Sequence, residues 1–220
     1  MKLKPYPKYK DSGIPWIGKI QEGWEVRRLR FNVDVNPSGK RILSNPKLKV
    51  NFLPMERVSE NGQYDRDFRA VYQDVSSGYT YFENNNVLVV KITPCFENGK
   101  GTLVSDLKYG FGFDTTEFHV LRSHNNLHAK YLFYLTTSNL FRVTGKAFME
   151  GTVGQKRVSA DFVKNFLMVT PPKQEQQKIV EYLDNTTSKI DKTIKLIEKK
   201  IELLQEYKKS LIHYVVTVKN

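Results

Sequence analysis

The stretch from Gln174 to Val216 contains neither glycine nor proline, and an apolar heptad runs through it. Val180, Thr187, Ile194, Ile201, Lys208 and Val215 share one position of the repeat. Leu183, Ile190, Ile197, Leu204 and Leu211 share the other, so only Thr187 and Lys208 interrupt the pattern. Alternating steps of three and four residues keep one narrow stripe on one side of a helix. Lys199, Lys200, Glu202, Glu206 and Lys209 charge the flanks, as on solvated helix faces. At 1.5 Å per residue, residues 180–215 extend on the order of 50 Å, far more than one small domain spans. The sequence therefore predicts a long coiled-coil helix over 173–218, with Leu183, Ile190, Ile194, Ile197, Ile201, Leu204 and Leu211 as its seam. A helix packed along its own domain is the competing expectation, but so narrow a seam over so many turns suits a partner helix better.

Residues 1–172 differ in texture and are expected to form a separate mixed α/β (α+β) globular domain. Val87–Ile92 is a β-branched run ended by Pro94, which cannot donate to a ladder, and predicts a buried strand. Glu117–Leu121 predicts a second strand after the Gly110/Gly112 turn. Residues 128–145 carry helical spacing at Leu132, Leu135 and Phe141, with Gly145 placed to cap the end. Phe162–Val169 predicts a last strand, stopped by Pro171 and Pro172.

Lys and Arg outnumber Asp and Glu by 35 to 23, a formal charge of +12, which suits a polyanionic partner. The single cysteine, Cys95, excludes an intramolecular disulfide and a cysteine-based zinc site. The opening MKLKPYPKYKDSGIPWIGK lacks the apolar core of a signal peptide, and no apolar run approaches the ~20 residues that cross a bilayer. The expectation is a cytoplasmic protein without membrane contact.

Enzymatic readings lack their motifs. Asn36-Pro37-Ser38-Gly39 is a turn rather than a methyltransferase tetrapeptide, and Gly110-Phe111-Gly112 lacks the third glycine of a cofactor loop. Glu206-Tyr207-Lys208 has no upstream acid with which to share a nuclease metal. His124 and His128 share a spacing but have no evident third ligand. What remains is binding chemistry: cations and aromatics interleaved around glycine turns at Lys91, Lys100, Lys108, Tyr109 and Arg122. A second cluster comprises Arg142, Lys146, Gln155, Lys156 and Arg157. Backbone N–H groups in such turns approach phosphates, Lys and Arg supply charge, and Gln or Arg can identify a base edge.

Three segments resemble type I restriction-modification specificity subunits. The first is Tyr9-Lys10-Asp11-Ser12-Gly13-Ile14-Pro15-Trp16-Ile17-Gly18 with Gly23-Trp24-Glu25-Val26. The second is Lys91–Lys100 with Gly110-Phe111-Gly112 and Thr116-Glu117-Phe118. The third is Pro171-Pro172-Lys173-Gln174-Glu175-Gln176-Gln177-Lys178-Ile179-Val180, similar to the family's proline turn into its spacer helix. The resemblance implies a DNA target-recognition domain over 1–172 that reads one half of a split double-stranded target. It also implies a spacer helix that pairs antiparallel with another. It implies no catalysis and no cofactor in this chain; S-adenosylmethionine and ATP/Mg are expected on modification and restriction subunits. Family members carry two recognition domains, whereas this sequence holds one and reaches His213-Tyr214-Val215-Val216-Thr217 where a second would begin. A half-length subunit that dimerises, or a truncated product, is expected. An unburied Ile/Leu seam favours dimerisation, because soluble monomers avoid large apolar patches. The alternative is a coiled-coil assembly protein that binds modification subunits without reading DNA.

Overall fold

A computed structural model describes residues 5–39, 41–152 and 154–217 of the chain. The hairpin β1 (Tyr9–Asp11) and β2 (Lys19–Gln21) precedes β3 (Glu25–Arg28) and β4 (Val33–Val35). Next come β5 (Lys49–Leu53), β6 (Arg69–Val71), the single turn α1 (Tyr72–Val75), β7 (Thr80–Glu83) and β8 (Asn86–Val90). Strands β9 (Gly101–Leu103), β10 (Phe111–Asp114) and β11 (Phe118–Ser123) lead to helices α2 (Ala129–Thr137) and α3 (Asn139–Ala147). The hairpin β12 (Met149–Glu150) and β13 (Arg157–Val158), helix α4 (Ala160–Asn165) and β14 (Leu167–Thr170) precede α5 (Lys173–Thr217), which is 45 residues long.

Two four-stranded sheets organise the domain, in the orders β4-β11-β8-β9 and β6-β5-β10-β7. Every pair is antiparallel except β10 with β5. Alternation along β8 divides the core. Val87 and Val89 join Leu132, Phe141 and Phe162 from the helices and Phe166 just after α4, whereas Leu88 and Val90 join Phe82, Phe118 and Val120 toward the second sheet. A third cluster, with Val50, Tyr81, Phe111 and Phe113, packs Tyr72 and Val75 of α1 onto the second sheet. This is the mixed α/β domain expected from the sequence.

Local expectations fail where a side chain competes with the backbone. The single helix expected over 128–145 is two, because Ser138 adopts an extended conformation (φ −64°, ψ 147°) and its hydroxyl caps α3 by accepting from Phe141 N. Ser and Thr hydroxyls at the end of a helix offer the chain such an alternative to continued helix. Gly145 is no cap: it lies inside α3, where a Cβ would stand 2.4 Å from the Phe96 ring. The strand expected over 162–169 begins only at Leu167. Ser159 Oγ accepts from Phe162 N and starts α4, which buries Phe162 and Val163, and β14 then pairs with β3.

The chain parts into two compact units, one up to Gln177 and one from Lys178 onward. The first turn of α5 belongs to the first unit. Gln176 is fully buried there, donating from Nε2 to Asn126 O (3.0 Å) and Pro171 O (2.8 Å) and accepting from His128 N (2.7 Å). Glu175 accepts from Trp24 Nε1 at 2.9 Å. In the second unit, the seam residues Ile190, Ile194, Ile197, Ile201, Leu204, Leu211 and Val215 are each between 47% and 68% exposed. Among the described residues, no helix is long and apolar enough to cross a membrane.

Gly145→Ala tests the close approach of α3 to Phe96. Overpacking of this kind costs about 1–3 kcal/mol, so a clearly lowered melting temperature is expected in thermal denaturation, and an unchanged one would show that Phe96 can move aside.

Candidate nucleic-acid interface

The β3–β14 ladder sets Arg28 opposite Leu167, directly beside the end of α4. There Asn165 Oδ1 accepts from Nη1 of both Arg28 and Arg30, each at 3.1 Å. Asn165 is itself held by its Nδ2, which donates to Asp161 O at 2.9 Å. Leu29, fully buried between the two arginines, anchors the turn that presents them. Phe31 follows it, 59% exposed, with the Arg30 guanidinium 5.2 Å from its ring centre.

Two clefts meet at Arg30. One, of about 550 Å³, is lined by Arg30, Arg122, Lys164, Asp34, Asn36 and Ser38 among others. The other, of about 770 Å³, takes in Arg27, Arg28, Phe31 and Leu167. Among the described residues, no carboxylate forms a salt bridge with Arg28, Arg30 or Lys164. Arg122 shares Glu83 with Arg41, at 3.0 and 3.4 Å, so two guanidiniums meet a single carboxylate. Asp34 also lines the first cleft, and Arg27 of the second pairs with Glu25 at 2.7 Å. The uncompensated part of this concave surface is therefore Arg28, Arg30 and Lys164, a cluster that can attract a polyanion.

The rim of the first cleft is built from the core. Asn36 sits at φ 53°, its Oδ1 accepting from Val120 N (2.9 Å) and its Nδ2 meeting His119 Nδ1 (3.2 Å). His119 Nε2 faces Val158 O at 2.9 Å, so that nitrogen carries the proton and Nδ1 accepts. Burial pushes the His119 pKa down and keeps the ring neutral. His124 and His128 have separate structural tasks. His124 Nε2 lies 3.0 Å from Asp34, and His128 Nδ1 caps α2 by accepting from Lys130 N.

The residues singled out from the sequence fall into two groups. Around the cis Thr93–Pro94 turn, Thr93 N donates to Lys156 O and Lys91 O accepts from Val158 N, joining residues 91–100 to the β12–β13 hairpin. This brings Lys91, Lys100, Lys146, Gln155, Lys156 and Arg157 into one neighbourhood. Gln155 and Lys156 are exposed on the hairpin loop. Lys146 pairs with Glu97 at 3.0 Å, and Arg157 grips Glu117 through Nε (3.0 Å) and Nη2 (2.8 Å). Lys100 is half-buried. The second group lies near Glu83: the exposed Lys108 stands 5.3 Å from the Tyr109 ring, and Tyr109 O accepts from Arg41, which shares Glu83 with Arg122. Arg122 alone among the expected residues lines the clefts at Arg30. Arg142, expected to offer charge, is instead buried. Its guanidinium donates to Phe96 O, Gly99 O and Lys100 O and so staples the 96–100 turn, and burial lowers its pKa to about 10.

Sequence reasoning does not single out Arg28, Arg30, Lys164 or Asn165. The run Arg27-Arg28-Leu29-Arg30 is visible in the sequence, but Lys164 and Asn165 are more than 130 positions away, and only the β3–β14 pairing brings them together.

The structure is that of a basic α/β domain continued by a long amphipathic helix. Residues 21–206 match the type I restriction modification DNA specificity domain. Over 181 residues the chain is 36% identical to the type I restriction enzyme EcoAI specificity subunit of Escherichia coli, covering 81% of this chain and 30% of that protein. It is 34% identical over 182 residues to the EcoEI specificity subunit of the same organism, with the same shares covered. The chain belongs to this family of specificity proteins and spans about 30% of the length of the curated relatives it matches. The fold is shared with the HsdS subunit from Thermoanaerobacter tengcongensis (TM-score 0.68, 20% identity, covering 84% of this chain and 48% of that one). It is also shared with a chain from work on complex assembly and conformational transition of the type I R-M system (TM-score 0.70, 21% identity, 87% and 50%).

One buried acid, Asp114 on β10, gives a pH dependence. Burial of Asp114 raises its pKa well above the carboxylate range, and Lys91 and the Thr80 hydroxyl offset only part of that. A folded-state pKa above the unfolded value contributes stability at low pH, which is lost as pH rises through the folded pKa. Asp114→Asn keeps the shape and removes the titration, so melting curves from about pH 4 to pH 8 should diverge upward, with the variant more stable at neutral pH. Parallel curves would mean that Asp114 does not titrate with folding.

Proposed function

We propose that this chain is a non-catalytic DNA-recognition component of a type I restriction-modification system. It reads one half of a bipartite double-stranded target and pairs with a second copy through α5. Modification subunits, which carry S-adenosylmethionine, and restriction subunits, which use ATP and Mg, supply the chemistry. The observation that carries the DNA reading is the convergence of Arg28 and Arg30 on Asn165 beside Lys164 and Arg122, where Arg28, Arg30 and Lys164 have no carboxylate partner among the described residues. Holding two guanidiniums at one amide is electrostatically costly unless an anion shares them, and a phosphate backbone supplies one charge at each step.

These four cations position the backbone and Phe31 lies against it. Base edges are read by side chains on neighbouring loops, for which Gln155, Lys156, Lys108 and Tyr109 are exposed or half-exposed candidates with hydrogen-bonding or stacking ability. Lys91, Lys100, Lys146 and Arg157 contribute to the positive field while holding the loops in place. Two copies related by a two-fold axis would read an inverted repeat with a fixed gap. The exposed seam of α5 supports the pairing, since a free stripe of Ile and Leu is unfavourable in water.

Methylation-sensitive sequencing of cells carrying this gene, a type I modification gene, or both tests the assignment. A new methylated motif is expected only with both. A gapped inverted repeat is the outcome expected for the two-copy reading, and no motif at all would favour an assembly role without DNA readout. In vitro, the triple variant Arg28→Ala, Arg30→Ala, Lys164→Ala should weaken DNA binding uniformly across sequences. The slope of log affinity against log salt should fall by about one for each phosphate that is no longer neutralised. An unchanged slope would remove this surface from the interface.

A further inference from the structure

We infer that two copies of α5 pair antiparallel in one particular register, with the two-fold axis passing between residues 202 and 203. The inference rests on the self-association proposed above and specifies its geometry. Exposure of the seam begins at Ile190 and reaches Val215, and that stretch is self-complementary. In an antiparallel pair each residue of one heptad position packs against the other position of the opposing helix. About this axis, Ile190 meets Val215 of the second copy, Ile194 meets Leu211, Ile197 meets Lys208, and Ile201 meets Leu204. Each layer occurs twice, and no exposed seam residue in that stretch is left without a counterpart.

Charge selects this arrangement over its competitors. A parallel in-register pair would oppose Lys208 to Lys208 of the second copy inside the seam, two ammonium groups with poor access to water. Sliding the antiparallel pair by one heptad toward the N-terminus would set Glu198 against its own counterpart on one flank and Lys200 against its own on the other. It would also draw Thr187 into the seam. In the inferred register the flanks hold Asp191 with Ile212 and Glu198 with Gln205 on one side. On the other they hold Lys200 with Tyr207 and Thr193 with Tyr214. Like charges do not meet, and each Lys208 faces an isoleucine, past which its long stem can carry the ammonium to water.

The same register accounts for apolar groups outside the seam. Ile212, Tyr207 and Tyr214 are 54%, 66% and 62% exposed on the lone helix and have no packing role there. They occupy the flanks of the pair, where each would cover the edge of the seam against a side chain of the second copy.

Spin labels on the outward positions Lys192 and Lys209, introduced singly as cysteines in a Cys95→Ala background of the full chain, test the geometry by dipolar spectroscopy. At 1.5 Å per residue, the two copies of position 192 should be offset along the axis by about 30 Å, and those of position 209 by about 20 Å. The reverse order, with position 209 the longer, would establish the one-heptad slide and overturn the register alone. Equal short distances at both sites would mean a parallel pair. Light scattering on the same samples separates the deeper failure: a monomeric mass without intermolecular coupling would overturn self-association itself. Circular dichroism equal to that of the parent chain confirms that the labelled proteins are folded.

Discussion

Strand β8 has water on neither side. All of Asn86–Val90 is buried, with Val87 and Val89 against the helices and Leu88 and Val90 against the second sheet. Fully burying an aliphatic side chain contributes about 1.5–3 kcal/mol, so this strand couples two separate cores through one backbone. Its neighbours have little latitude. Gly101 on β9 has no room for a Cβ, which would stand 2.7 Å from Leu88 O, and β11 pairs along the whole opposite edge of β8. The loop leaving β8 inherits the same rigidity, because buried Arg142 closes its 96–100 turn with three carbonyl bonds.

That rigid centre explains how the charge is distributed. Near the core, cations are consumed in holding the structure: Arg157 on Glu117, Lys146 on Glu97, and Arg142 on backbone carbonyls. At the β3–β14 edge, by contrast, Arg28 and Arg30 are gathered by a neutral amide, and among the described residues no carboxylate pairs with them. A net charge of +12 therefore does not describe a uniformly basic protein. Some of the excess is structural and neutralised locally. Arg28, Arg30 and Lys164, on the surface formed by β3, α4 and the Asn36–Ser38 turn, are part of what remains and can act on a polyanion at a distance.

The helix α5 answers to a different constraint. Its first turn is fastened to the domain by fully buried Gln176, which makes three hydrogen bonds to backbone groups on either side. Beyond Lys189 every described residue is exposed, and half or more of most seam side chains meets water. Such a helix gains little from intrinsic propensity alone and most from packing its apolar stripe. In the proposed pair, Lys208 within the seam opposes a parallel arrangement, and Glu198 and Lys200 on the flanks oppose a slide.

What the sequence by itself determined is whatever depends on short-range periodicity. The heptad and the absence of glycine and proline were enough to place α5, and the β-branched run with Pro94 was enough to place β8. Family-specific segments at residues 9–26, 91–118 and 171–180 were legible as well. Tertiary structure decided whatever depends on who neighbours whom. Ser138 and Ser159 could each serve a loop, a cap or a helix interior, and only the packing of Phe141 and Phe162 selected caps. Arg142 and Arg157 look like any surface arginine in the sequence, yet one is buried among carbonyls and the other is locked to Glu117. The candidate interface was hidden for the same reason: Arg30 and Lys164 are brought to one cleft by a strand pairing between residues far apart in the chain. Periodicity is a property of neighbours along the chain, whereas charge compensation is a property of neighbours in space.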